Sequence, residues 1–330
     1  MNMLKITEFA DPVCTWCWGS SPIVRALEYR FKGEIEINYV MTGMVEDIRT
    51  FNNRRLGIGG DIEMSNRNMM KAWVDASAIH GMPVQEHGFH LFSKDRLSTI
   101  PQNLAYIAAK VCSARGKEGE KDLRKAKHFF RRIQEATAVE AMHTNDVKVL
   151  ADLSAVEGFE PNHFLDVMNS DDVHRAFEAD KALCKRYGVQ STPTYLLEYK
   201  GEELLLHGFT TYETLEQKIN QLTYGKIVPQ EKDERGNEYL KPTKDNVRAF
   251  IVRYKSVYPV EIATAFCFER ISGKSALNIE SYKHLPDIID ELLHANEIEM
   301  TPQGNGFKII AVNDTITQTQ KREREYAGTF

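Results

Sequence analysis

No run of apolar residues in this 330-residue chain approaches the roughly 18 to 20 positions that a bilayer span requires. The N-terminus, Met1-Asn-Met-Leu-Lys5, lacks a basic region followed by an apolar core and a small-residue cleavage site, so no signal peptide is expected. Cysteine is scarce. There are five, an odd number with a single close pair, which does not make a secreted disulfide framework, and the chain reads as cytoplasmic. An excess of positive charge is also missing. With 42 Lys and Arg against 47 Asp and Glu, the formal charge is -5, which gives no support for a general nucleic-acid binder. What remains is ordinary for a globular protein: 42% hydrophobic and 27% charged residues, in a chain long enough for two domains or one domain with a large insertion.

The one close cysteine pair stands at a conspicuous place. Leu4 to Ala10 is an apolar-rich run that reads as a strand, and it breaks at Asp11-Pro12. Cys14-Thr-Trp-Cys17 follows, and then Ile23, Ala26, Leu27 and Phe31 recur at helical spacing. A CxxC at a strand-to-helix junction is the layout of a redox dithiol. Its first cysteine lies at the helix N-terminus, where free N–H groups and the helix dipole favour the thiolate. The second lies about one turn inside, close enough to close a disulfide. A structural zinc site would need another ligand pair, and Cys112, Cys184 and Cys267 are isolated from one another, so no metal is expected. Cys184 reads as a buried helix residue, and His80, His87, His90 and His143 show no ligand spacing.

Along the chain, Gly33 is a plausible stop for the first helix, and Glu34 to Met41 alternates as a second strand. Strand–helix–strand implies a crossover to a parallel neighbour. Pro22 lies inside the helical stretch, which predicts a kink or restart with Ser21 as a new N-cap. From about 52 to 186 the pattern is helical: 61–80, 101–114, 121–138, 145–158, 161–168 and 171–187. Asn145 or Thr144, and Ser170, are the expected caps. The basic run from Lys121 to Arg132 reads as a solvated face with Phe129 and Phe130 buried, and Met64, Met69, Met70 and Met82 as core filling. A strand pattern returns at Gly188 to Tyr199, with Glu203 to His207 as its hairpin partner. Thr210-Thr-Tyr-Glu213 reads as a capping box for a helix through Leu222. The sum is an α/β unit: a thioredoxin fold with a large all-helical insertion.

Residues 225–246, charged and holding Pro229, Gly236 and Pro242, read as a linker. Beyond them, helices are expected at 247–257, 260–268 and 282–295, and a hairpin at 298–311. Three helices and a hairpin suggest a small α+β, winged-helix-like domain over 247–313, followed by a polar tail over 314–330. A DNA reader would carry a basic third helix; here Asp287, Asp290 and Glu291 face Lys283 and His284, which favours a packing or protein-interaction module.

The stretch Asp11-Pro-Val-Cys-Thr-Trp-Cys-Trp-Gly19, the helical insertion and Gly188-Val-Gln-Ser-Thr-Pro-Thr-Tyr195 together resemble the DsbA-like thioredoxin superfamily. Its cytoplasmic branch of predicted dithiol–disulfide isomerases is the best match. The resemblance covers residues 1–224, with the thioredoxin parts at about 1–51 and 187–224 and the insertion at about 52–186. It does not extend to the C-terminal segment. It implies Cys14 as the nucleophilic thiol, Cys17 as the resolving thiol and Pro193 as a cis-proline whose turn presents the Thr192 backbone to a substrate peptide. It also implies a buried acid six residues before Cys14, the place of Glu8. Strand alternation sets Glu8 on the face of Ile6 and Ala10, where burial would raise its pKa and let it shuttle the Cys17 proton. Asp11 is expected as a cap at the rim, and Trp16 and Trp18 as an apolar platform for peptide. Thr15 stands where relatives often have Pro, so the direction of electron flow is not read from it.

The expected activity is thiol–disulfide exchange on protein or small disulfides, with no bound cofactor and with glutathione or thioredoxin as candidate reductants. A different class is a non-catalytic adaptor that presents client proteins, which the added C-terminal segment suits. A glutathione-dependent isomerase is a third reading; such relatives usually lack the second cysteine, which Cys17 supplies.

Overall fold

The computed structural model describes residues 3–114, 123–233 and 235–312. Strand β1 (Leu4–Ala10) leads through a short loop into helix α1 (Thr15–Arg30) and then to strand β2 (Ile35–Met41), which pairs parallel with β1. Strands β3 (Thr194–Tyr199) and β4 (Glu202–His207) complete a four-stranded sheet in the order β2-β1-β3-β4, antiparallel from β1 onward. Helix α8 (Tyr212–Thr223) follows β4. Among the described residues, six helices lie between β2 and β3: α2 (Ile62–His80), α3 (Ile100–Ala114), α4 (Leu123–Ala138), α5 (Val147–Val156), α6 (Pro161–Met168) and α7 (Asp171–Arg186). This is the expected thioredoxin fold with a helical insertion.

Local details differ from the sequence reading, each for a physical reason. Helix α1 runs through Pro22 without a restart. Its lost N–H bond is tolerated because the helix is buried against packed neighbours that hold its course. The strand expected from Gly188 starts at Thr194, because Pro193 lacks an N–H and precedes the ladder. The N-cap of α5 is Asp146, not Asn145 or Thr144. That of α8 is Thr211, whose hydroxyl accepts from the Thr214 N–H, so no capping box forms between Thr210 and Glu213. Ser170 caps α7 as expected. Phe129 and Phe130 are buried, as are Met69 and Met82, whereas Met64 lies half exposed.

The C-terminal residues form α9 (Lys244–Tyr254), β5 (Ser256–Val257), α10 (Pro259–Ala265), α11 (Leu285–His294), β6 (Ile298–Gln303) and β7 (Gly306–Ala311). The antiparallel sheet runs β5-β7-β6. At two residues, β5 is too short to leave a periodic signal. The segment read as a linker is anchored: Ile227 and Tyr239 are buried, and the Gln230 N–H donates to the Arg30 carbonyl at 2.7 Å. The tail over 314–330 lies outside the described residues.

Helix α1 is shared by two cores. Ile23, Ala26, Leu27 and Phe31 pack into the core formed with the large sheet and the insertion. Trp18 and Tyr29 belong to the other, with Phe250, Tyr258 and Phe266 of the C-terminal unit. Tyr29 meets Tyr239 and Phe250 edge-on, with ring centroids 5.3 and 5.0 Å apart. Aromatic pairs of this geometry add to the gain from burial.

Candidate active site

The loop after β1 sets the dithiol. Asp11 is fully buried and does not cap α1. Its Oδ1 accepts from the Val13 N–H at 2.9 Å, and its Oδ2 from the Met44 N–H at 2.8 Å and Asn103 Nδ2 at 2.9 Å. It therefore ties the thiol loop to the β2 exit and to α3, and is unavailable to a ligand at the rim. Cys14 itself is the N-cap. Its Sγ accepts from the Cys17 N–H at 3.4 Å, and the thiol lies 3.4 Å from the Thr192 carbonyl oxygen across the sequence. The Thr192–Pro193 peptide is cis, as the resemblance implied.

The two thiols are in different electrostatic settings. Burial acts to raise the Cys14 pKa, but hydrogen bonding with the Cys17 and Thr192 side chains and with the Cys17 N–H outweighs it and brings it below its usual value. Burial pushes the Cys17 thiol well up, and the neighbouring Cys14 and Glu8 push in the same direction. Cys14 retains 6% exposure against 1% for Cys17. Cys14 is thus the less enclosed of two buried thiols and inclined to ionise, and Cys17 is fully enclosed and holds its proton. Both are free thiols.

Glu8 faces this pair from β1, in register with Tyr39 on one side and Tyr195 on the other. Burial raises its pKa to about 8, partly offset by Ser20. The Ser20 hydroxyl lies 2.7 Å from Glu8 Oε1 and 2.8 Å from the Cys17 carbonyl oxygen. A hydroxyl has one proton, so both contacts are satisfied when a protonated Glu8 donates to Ser20 and Ser20 donates to Cys17. A raised carboxyl pKa means that stability is fully present below about 4.5 and is lost as pH rises toward about 8. Glu8→Gln should remove that dependence, gaining about 3 kcal/mol at pH 7. Urea unfolding at pH 5 and pH 8 measures it; equal pH slopes in the two proteins would place the Glu8 proton elsewhere.

The aromatic residues separate. Trp16 is half-buried between His80 and Phe209, with centroids 5.8 and 5.4 Å from its own. Trp18 is 1% exposed, which removes it from any peptide platform. Its indole N–H donates to the Pro83 carbonyl at 2.8 Å, its ring meets Tyr258 edge-on, and Arg131 lies 4.9 Å above it.

The sequence reading weighs His80 only as a metal ligand and does not single out Ser20 or Phe209. Ser20 sits three residues after Cys17 on the same helix, a spacing that could have flagged it. Gly19 was a second signal: a Cβ there would come within 2.5 Å of the His80 ring, so the glycine admits the imidazole. His80 Nδ1 accepts from the Met82 N–H at 3.1 Å, which leaves the proton on Nε2, 3.4 Å from Thr15 Oγ1. Burial lowers its pKa to about 3, so the ring is neutral. Among the described residues no cluster of His, Cys, Asp and Glu could hold a metal, and no helix is long and apolar enough to cross a membrane.

A dithiol at the start of a helix leaving a mixed sheet, opposite a cis-proline loop, is the arrangement of the thioredoxin superfamily. The chain belongs to the family described as Thioredoxin, whose model matches residues 8–217. It is 21% identical over 231 residues to the ClpXP adapter protein SpxH of Bacillus subtilis (strain 168), spanning 69% of this chain and 70% of that protein. To the SpxH of Halalkalibacterium halodurans it is 22% identical over 269 residues, spanning 81% and 79%. A solved structure described as a putative protein disulfide isomerase from Nitrosomonas europaea superposes with a TM-score of 0.55 at 17% identity, covering 68% of this chain and 99% of that one. That likeness shows the fold.

Proposed function

We propose that the protein is a thiol–disulfide oxidoreductase acting on protein or small disulfides. The observation that carries the reading is the asymmetry of the pair: Cys14 caps α1 and is stabilised as thiolate, while Cys17 lies buried behind it next to Glu8. The Cys14 thiolate attacks one sulfur of a substrate disulfide, whose S–S bond breaks; a Cys14–substrate disulfide forms, and the departing thiolate takes up a proton. Glu8, whose pKa of about 8 leaves a minor ionised fraction at neutral pH, accepts the Cys17 proton in that ionised form. The Cys17 thiolate then attacks Cys14 Sγ and expels the second substrate thiolate, so the substrate is reduced by two electrons and the protein is left with a Cys14–Cys17 disulfide. Thr192 and Pro193 form the facing wall, with the Thr192 backbone available to pair with an extended peptide. The chemistry needs no resident cofactor. A cytosolic dithiol or glutathione would return the pair to its reduced form, consistent with the cytoplasmic reading of the cysteine usage.

Cys17→Ala tests this. It should arrest the reaction after the first step and accumulate a Cys14-linked mixed disulfide, visible as a mass shift removed by dithiothreitol. If neither that adduct nor a Cys14–Cys17 disulfide forms under any redox buffer, the proposed chemistry is wrong.

A second reading has its own support. The SpxH relatives are named as ClpXP adapters, and the match to one of them covers 81% of this chain, more than residues 8–217. In that reading the protein presents a client, and the C-terminal unit, which we read as winged-helix-like from its element order, serves protein interaction. Client binding that survives loss of both thiols would favour it.

A further inference from the structure

The turn that carries His80 is enclosed by the C-terminal unit. Residues 77–84 close α2 and pass behind the start of α1. Asn305, at the tip of the β6–β7 hairpin, grips both ends of this turn. Its Oδ1 accepts from the Val84 N–H, its own N–H donates to the Val84 carbonyl, and its Nδ2 donates to Ser77 Oγ, each at 2.9 Å. Between those ends the Ala276 N–H donates to the Ala78 carbonyl at 3.2 Å, and Arg270 Nη1 to the Ile79 carbonyl at 3.4 Å. Gly81 is in the left-handed region at φ 78°, and a Cβ there would stand 2.8 Å from the Ala276 carbonyl and 2.9 Å from Val260. At Gly304, a Cβ would come within 2.5 Å of the Val84 carbonyl. The fit is close at Ser77, Gly81 and Val84, while the Ile79 side chain remains exposed.

On the other side of that turn stands the thiol pair. His80 reaches Thr15, the residue after the nucleophile, and packs its ring against Trp16. Those two residues separate Cys14 from Cys17, and their backbone sets the Cys17 N–H that Cys14 Sγ accepts.

We propose that the C-terminal unit completes the thiol site, with Asn305 holding the 77–84 turn so that His80 fixes Thr15 and Trp16 beside Cys14. His80 and Asn305 are then positioning residues for the redox pair, although Asn305 follows it by almost the whole length of the chain. The inference rests on reading Cys14–Cys17 as the redox pair.

The test compares the full-length protein with H80A, H80Q, N305A and N305D. The readouts are the rate of Cys14 alkylation by iodoacetamide against pH, the Cys14–Cys17 reduction potential, and the melting temperature. H80A and N305A should slow alkylation at neutral pH by about tenfold, within the range that misplacing a reacting group costs. They should also move its pH midpoint upward and change the potential. H80Q places an amide N–H where Nε2–H stood, and N305D keeps the acceptor for Val84. Both should recover part of the rate, and both stand in if the alanine variants do not fold. Variants that melt earlier while alkylation, midpoint and potential stay at wild-type values would overturn the inference, because the contacts would then be structural alone. Failure of the redox reading looks different: the wild-type pair would have no measurable potential, while the alkylation comparison would still report on positioning.

Discussion

Cys14→Ser is expected to reduce disulfide turnover by at least about a thousandfold, as loss of a nucleophile does. Serine is among the best N-cap residues, so its hydroxyl can accept the Cys17 N–H that Cys14 Sγ accepts now, and α1 should keep its start. Its oxygen cannot form a mixed disulfide, and Cys17 is too enclosed to replace it at 1% exposure. The loss should therefore come with an unchanged melting temperature. Reduction of a small aromatic disulfide, followed beside a thermal melt, measures both. Residual turnover within tenfold of wild type would show that another group attacks. The same variant divides the two functional readings, since an adaptor should still bind its client.

The second large effect is on stability and lies away from the thiols. Glu261, with its side chain fully enclosed, sits between two guanidinium groups. Arg131 Nη2 donates to Oε2 at 3.0 Å, and the Tyr258 N–H donates to the same oxygen at 2.8 Å. Arg25 Nη1 lies 2.9 Å from Oε1 but off the hydrogen-bond direction, an ion pair without a hydrogen bond. Burial and the nearby Arg131 lower the Arg25 pKa, against the pull of Glu261. Glu261→Ala would leave two nearly buried cations facing each other and would open the cap of α10. Breaking a buried ion pair from one side costs about 3–5 kcal/mol. Urea unfolding near neutral pH should show a loss of that order. By contrast, Lys71→Ala, which breaks an exposed pair with Asp75, should change stability by less than about 1 kcal/mol. A Glu261→Ala loss as small as that would mean that water reaches the cluster.

The thiol site was legible where its chemistry is local. Cys14, Cys17 and Glu8 lie within ten residues, and strand alternation sufficed to place Glu8 on the inner face. Pro193 needed the family resemblance, since spacing alone does not bring it opposite Cys14. Trp18 misled because α1 is enclosed on two sides: a helix buried nearly all round has no polar face to show which indole is internal. Asp11 misled for a related reason, as its acceptors are used by Met44 at the β2 exit and Asn103 in the insertion, partners that only the folded chain brings to it. His80 was beyond reach because its role depends on where α2 ends in space. The C-terminal helices were visible from their periodicity, yet nothing in that pattern disclosed that Tyr258 would lie on Trp18 or Asn305 on Val84.

The double use of α1 also has a consequence in time. Synthesis proceeds from the N-terminus, so the thiol helix emerges early, together with the strand that carries Glu8. Its first face can close once β3 and α8 have followed. Its second face, with Trp18 and Tyr29, waits for Tyr239, Phe250, Tyr258 and Phe266. Until those residues leave the ribosome, Tyr29 and the Tyr258 side of Trp18 lack their cover, although the insertion already supplies Pro83 to the Trp18 indole. The helix that begins the chemistry is among the first parts made and among the last to be enclosed.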